Sequence, residues 1–214
     1  MISKLHYIIP DSLEYHKKDW YQKVCDSGID WIQLRWKTID DDEFVRRVNE
    51  VKNWLEGKEV KLIVNDRIHL MDQFEVDGFH LGKTDMELCE GRARARGLIL
   101  GATTNSLEDI LERKEIGVDY FGLGPFRFTN TKKNLSPVLG LDGYRAICRS
   151  SRLALEDLGL NTPIVAIGGI QNEDIEGLLE AGVHGVAISS YFNENTEKRI
   201  KEMLQKLEGN YAFG

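Results

Sequence analysis

Three cations, two carboxylates and a set of hydroxyls and glycines carry the chemistry open to this sequence. Arg35, Lys37 and Lys132 are strongly basic groups of the kind that gather on pyrophosphate, where guanidinium forks and ammonium point charges offset several negative oxygens. Asp66 and Asp85 are hard oxygen donors suited to magnesium, an ion that keeps several waters and takes few protein ligands. The stretch Asp119–Lys133 begins as an apolar strand, breaks at Gly122, Gly124 and Pro125, and then presents Thr129, Thr131, Lys132 and Lys133. Glycine lets backbone N–H groups approach an anion, hydroxyls add donors and lysine adds charge. The same punctuation also describes an ordinary polar loop. Gly168-Gly169 follows the apolar run Ile164–Ile167, and Ser189-Ser190 follows another; both suit a phosphate monoester. The chemistry therefore reads as two anion sites, one of them metal-assisted.

Each residue also has a plainer reading. Asp66 and Asp85 both precede helix-like segments and have the context of an N-cap. Gln33, which shares a strand face with Arg35, and His80 both fit a buried structural role. Arg35 and Lys37 flank Trp36 and fit a solvated strand end. Lys83 reads as a further cation near Asp85, Arg127 as either a phosphate ligand or a surface residue, and Ser150-Ser151 as an exposed helical turn with no role.

The elements that must position these groups follow from a repeat. Gly28–Leu34 resembles Gly117–Leu123, with looser copies at Val76–Leu81 and Gly182–Ile188; each turns at a glycine or acidic residue and enters a short apolar strand. Asp30, Asp77 and Asp119 recur at intervals of 47 and 42 residues, room for two strand–helix units apiece. Between the copies lie strand patterns at Leu5–Ile9, Lys61–Val64, Leu98–Ala102 and Pro163–Ile167, making eight in all. Helical patterns fall at Glu14–Ser27, Asp41–Leu55, Arg67–Phe74, Glu87–Arg96, Leu107–Glu115, Leu141–Leu158, Asn172–Ala181 and Glu197–Leu207. Alternating β and α with near-continuous apolar strands predicts a parallel sheet covered by helices, and eight units in 214 residues favour an α/β fold of the (β/α)8 barrel type over an open doubly wound sheet. No linker composition divides residues 1–214, so one domain is expected.

In such a barrel the chemistry sits where strands end. The second strand ends in Gln33–Lys37, the third in Asn65-Asp66, the fourth in His80–Asp85, the fifth in Ala102-Thr103-Thr104, the seventh in Gly168-Gly169 and the eighth in Ser189-Ser190. Polar groups crowd these ends, while the opposite ends are mostly short glycine turns. A net charge of −7 argues against a nucleic-acid surface. Scattered Cys25, Cys89 and Cys148, no signal-peptide pattern and no membrane-length apolar run point to a cytoplasmic protein. Small-molecule substrates are the expected partners, with a homo-oligomer left open.

With these residues in order, the chain resembles the thiamine phosphate synthase family from Gln33 to Ser190. The motifs that carry the resemblance are Gln33–Lys37, Val64–Arg67, Asp77–Asp85, Gly122–Pro125, Thr129–Lys132, Ile167–Ile170 and Gly185-Val-Ala. Their joint order and spacing is specific; none is so alone. The resemblance implies a (β/α)8 barrel that joins 4-amino-2-methyl-5-pyrimidinylmethyl diphosphate to a thiazole monophosphate, giving thiamine phosphate and pyrophosphate. It implies that Gln33, Arg35, Lys37, Asn65, Thr103 and Lys132 meet the pyrimidine diphosphate, with Arg35, Lys37 and Lys132 catalytic. It implies that Asp66 and Asp85 hold Mg2+, and that Thr129, Thr131, Gly169, Ser189 and Ser190 hold the thiazole phosphate. A dissociative, magnesium-assisted departure of pyrophosphate is the implied mechanism, with no protein nucleophile. Trp36, Lys83 and Phe126-Arg127-Phe128 depart from the family pattern. Two other functions stay open beside it: a thiazole tautomerase on the same barrel, or a non-catalytic thiazole-phosphate binder.

Overall fold

The computed structural model describes residues 1–12, 15–128 and 137–209. Eight parallel strands run in chain order: β1 (Leu5–Pro10), β2 (Trp31–Arg35), β3 (Lys61–Asn65), β4 (Gly78–Leu81), β5 (Ile99–Thr104), β6 (Tyr120–Leu123), β7 (Ile164–Ile167) and β8 (Gly185–Ile188). Each pairs with the next, and β8 returns to β1 with Leu5 opposite Val186, so the sheet is a closed barrel rather than an open one. Seven α-helices lie between or after the strands among the described residues: α1 (Lys18–Asp26), α2 (Asp41–Trp54), α3 (Leu88–Arg94), α4 (Leu107–Arg113), α5 (Gly140–Glu156), α6 (Ile175–Glu180) and α7 (Thr196–Glu208). Local chemistry starts two of them: Asp40 accepts from the Glu43 amide at 2.9 Å ahead of α2, and Ser106 from the Asp109 amide at 3.3 Å ahead of α4.

One expected helix is different in kind. Arg67–Phe74 is not an α-helix; Ile68–Gln73 forms a 3-10 helix. Asp66 (φ 64°) and Arg67 (φ 48°) are both left-handed, and Phe74 is already extended, so the space between is too short for α-helical turns to propagate. The segment expected as Asn172–Ala181 likewise opens with a 3-10 turn, Asn172–Asp174, before α6.

Strand alternation divides the core in two. Ile32, Leu34, Phe79, Leu81, Phe121 and Leu123 face outward and pack under the helices. Ile8, Trp31, Ile63, Tyr120, Val165 and Ala187 fill the barrel itself. Gln33 and Arg35 therefore share Trp31's inward side, and His80 lies between outward Phe79 and Leu81. Glycine makes room inside: a Cβ at Gly101 would lie 2.2 Å from the Tyr120 ring, and one at Gly122 would lie 2.9 Å from His80.

The acidic positions of the repeat clip the opposite end of the barrel. Asp77 accepts from the Leu62 amide at 2.9 Å and from Lys61 at 2.7 Å. Asp119 accepts from the Leu100 amide at 2.8 Å and from Arg92 at 2.9 Å. Asp30 takes the Ser3 hydroxyl at 2.5 Å, and His184 Nε2 donates to the Ile2 carbonyl at 2.8 Å. Each copy of the repeat thus ties one strand to the start of a neighbour.

Candidate active site

The inward face of β2 carries Gln33 and then Arg35 to the C-terminal rim, and Lys37 follows on the loop. They open onto a cavity of about 480 Å³ that Asn65, His80, Asp85, Thr103, Gly169, Ser189 and Ser190 also line. Of the expected site residues among those described, only Asp66 is absent from this wall, and it is joined to it through Lys37. Thr129, Thr131 and Lys132 lie outside the described residues.

The cation–carboxylate centre is built by three loops. The Lys37 ammonium donates to Asp66 at 2.7 Å and lies 3.4 Å from Asp85. Asp85 turns its other oxygen onto the Gly82 amide at 2.7 Å, which closes the loop after β4. Neither aspartate caps a helix: the left-handed turn at Asp66 precedes the 3-10 segment, and α3 starts at Glu87 without a side-chain cap. Half-burial pushes the Asp66 carboxyl up, but hydrogen bonds from Lys37 and the Arg67 amide outweigh it and hold the group below its usual range. Burial lowers Arg35 from its ordinary value, with Asp85 opposing the shift. Asp66 and Asp85 thus share one cation, the Lys37 ammonium, and their oxygens are of the hard kind that a magnesium ion would need. Among the described residues no third His, Cys, Asp or Glu joins them, so magnesium there would complete its shell with water and substrate oxygens.

Below the charges lies a hydrogen-bonded floor. The Asn65 amide donates to Gln33 at 3.2 Å. His80 is 2.9 Å from the Tyr120 hydroxyl and 3.0 Å from Thr103, and Tyr120 is also bonded to Gln33. Burial drives the Tyr120 phenol far above its usual pKa, so it remains a neutral donor. Tyr120 was not foreseen, since it reads as one more apolar residue of the sixth strand; its inward register, shared with Gly122, was the available signal.

Across the cavity Gly168 (φ 103°) and Gly169 (φ 68°) turn sharply after β7, beside Ser189 and Ser190 after β8. Three more side chains are defined by their partners. Lys83 lines the cavity with Asp85, as expected, but its ion pair is with Asp109 at 2.7 Å, a residue that also receives the Asn105 amide. Arg127 is absent from the cavity wall; partly exposed at the surface, it pairs with Asp174 at 2.6 Å. Ser150 is exposed as expected, but Ser151 is fully buried and donates to the Cys148 carbonyl at 3.2 Å.

Comparison with known proteins shows the family. The family model described as thiamine monophosphate synthase matches residues 5–192. A protein of Flavobacterium johnsoniae named thiamine-phosphate synthase is 39% identical over 214 residues, covering 98% of this chain and 99% of that one. A Bacteroides thetaiotaomicron protein of the same name is 44% identical over 167 residues, covering 78% of each. The solved thiamine phosphate pyrophosphorylase of Pyrococcus furiosus superimposes with a TM-score of 0.80 at 29% identity, covering 96% of both chains. A barrel whose rim gathers these groups, matched from the first strand to the segment after the eighth, belongs to the thiamine monophosphate synthase family.

Proposed function

We infer that this chain is a transferase that makes thiamine phosphate: it joins 4-amino-2-methyl-5-pyrimidinylmethyl diphosphate to 4-methyl-5-(2-phosphoethyl)thiazole and releases pyrophosphate, with CO2 lost as well when the thiazole is carboxylated, in thiamine biosynthesis. The observation that carries the reading is the Lys37 ammonium held between Asp66 and Asp85, at the mouth of a cavity whose far wall is the Gly168-Gly169 and Ser189-Ser190 turns. The relatives named for this activity span nearly its whole length. Single-domain organisation is supported by the one barrel from Leu5 to Ile188, and the free thiols of Cys25, Cys89 and Cys148 support a reducing, cytoplasmic location. No helix among the described residues is long and apolar enough to cross a membrane.

Asp66 and Asp85 are the residues to hold magnesium, which when bound neutralises charge on the leaving diphosphate oxygens. Arg35, Lys37 and Lys132 stabilise the same oxygens as the carbon–oxygen bond breaks and its electron pair leaves with pyrophosphate. Gln33 and Asn65, with Thr103 behind His80, orient the pyrimidine ring that stabilises the developing cation. Gly169, Ser189 and Ser190, with Thr129 and Thr131, fix the thiazole phosphate so that the ring nitrogen donates its lone pair and forms the new bond. Position and dryness are the protein's contribution, and no side-chain nucleophile is required.

The test supplies both substrates and magnesium and measures thiamine phosphate and pyrophosphate. Equimolar formation is expected, and Asp85→Ala and Lys132→Ala are expected to lower kcat/KM by about a hundredfold or more. Unchanged turnover in both variants would overturn the site assignment. Isomerisation of the thiazole without condensation would identify a tautomerase instead.

A further inference from the structure

The Gly168-Gly169 turn has a tether that the reaction described above does not use. Two consecutive left-handed glycines form one of the freest backbone segments available, yet this one must present fixed groups to an anion. The chain after β6 runs against it: the Phe126 amide donates to the Ile167 carbonyl at 2.9 Å and the Arg127 amide to the Gly168 carbonyl at 3.0 Å. The Arg127 side chain then reaches one residue further. Its Nη1 donates to the Gly169 carbonyl at 2.8 Å and to Asp174 Oδ2 at 2.6 Å, and its Nη2 donates to Asp174 Oδ1 at 2.8 Å. Asp174 Oδ2 also accepts the Gln171 amide at 2.8 Å, so both ends of the turn meet at one carboxylate. The fit is close: a Cβ at Gly169 would lie 2.5 Å from the Arg127 Cγ.

The direction of this contact matters. Arg127 stands behind the turn, whereas Gly168, Gly169 and Ile170 line the cavity. In a trans peptide the C=O and N–H point opposite ways. Holding the Gly169 carbonyl back toward Arg127 therefore aims the Ile170 N–H forward, toward the cavity. A flipped Gly169–Ile170 peptide would instead present a carbonyl oxygen to an incoming phosphate.

We propose that Arg127 is a positioning residue for the thiazole-phosphate subsite, clamping the Gly169 carbonyl and Asp174 so that the Gly169–Ile170 peptide keeps its N–H facing the phosphomonoester. The proposal rests on the reading of this turn as that subsite. It acts on one substrate only, which separates it from a general structural role.

The experiment compares the parent with Arg127→Met and Arg127→Lys in steady-state assays, with inorganic phosphate as a competitive probe against the thiazole substrate. Arg127→Met is expected to raise the KM for the thiazole phosphate and the Ki for phosphate together, each by about tenfold. The KM for the pyrimidine diphosphate should stay within about twofold. Arg127→Lys keeps one donor for two acceptors and should fall between; if the methionine variant fails to fold, the split between the two KM values in the lysine variant decides. Equal increases in both KM values, or no change in either, would overturn the proposal. A parent protein that makes no thiamine phosphate would overturn the functional reading instead.

Discussion

Lys37 joins the two carboxylates of the proposed metal site. Its ammonium bridges Asp66 and Asp85 at 2.7 and 3.4 Å, so the cation that should help pyrophosphate depart is parked on the carboxylates that should hold the metal. A divalent ion entering that point must displace it, and the freed ammonium is then within reach of the diphosphate. Lys37→Met is therefore expected to bind Mn2+ more tightly than the parent in the absence of substrate, by about tenfold or about 1.4 kcal/mol, because the competing cation is gone. The same variant should turn over about a hundredfold more slowly, since a charge on the leaving group is lost. Electron paramagnetic resonance of free Mn2+ reads the first effect and product formation the second; weaker Mn2+ binding would show that Lys37 assembles the carboxylates rather than competing for them. That these cations and carboxylates meet on one rim was legible, because each follows the end of a strand. What the sequence did not show was backbone conformation. The left-handed pair Asp66-Arg67 carries no glycine to signal it, and it alone takes Asp66 off a helix end and toward Lys37.

At the scale of elements, the barrel separates chemistry from cohesion. The repeat that makes the fold readable is a set of strand entries, and its acidic side chain accepts the amide of the second residue of a neighbouring strand: Asp77 for Leu62, Asp119 for Leu100. These carboxylates lie at the rim opposite the cavity, where a barrel invests in stability. Asp119→Ala is expected to cost about 1 kcal/mol, since it strips a charge-assisted bond from a strand-end amide that water can partly replace. Urea unfolding should show a lower midpoint with an unchanged slope, and both KM values should match the parent. A loss of activity at full stability would place Asp119 in the wrong half of the molecule. The strands and the long helices α2, α5 and α7 were readable because the apolar period ran over many residues, reinforced at α2 by the Asp40 cap. The 3-10 helix after β3 was not, because six residues carry too few turns for a period to declare itself. Tyr120 escaped notice for a related reason: in a strand buried on both faces, apolar and functional positions look alike.

For the molecule as a whole, the barrel interior sets how stability responds to acid. His6 is fully buried on the inward face of β1, stacked on Trp31 with ring centroids 4.2 Å apart and edge-on to Tyr120 at 5.1 Å. Its Nε2 donates to the Ser3 carbonyl at 3.1 Å, and its Nδ1 has no hydrogen-bond partner among the described residues. Burial, reinforced by His80 and by the more distant His184 and opposed by the Ser3 bond, lowers its pKa from 6.5 to about 3. The unfolded chain protonates this imidazole near pH 6.5 while the folded chain refuses the proton until about pH 3. In that window the unfolded state binds more protons, so stability is full above pH 6.5 and falls as the pH drops. Between pH 6.5 and 5, where ordinary carboxylates have barely begun to titrate, this one group should remove about 1.5 kcal/mol. His6→Phe keeps the ring stack without the titration and should lose that much less over the same interval, whatever its stability at pH 7. Urea midpoints at four or five pH values in each protein supply the comparison. Parallel curves would mean that the folded barrel accepts a proton at His6, and that the Trp31 and Tyr120 packing around it opens far more readily than its burial implies.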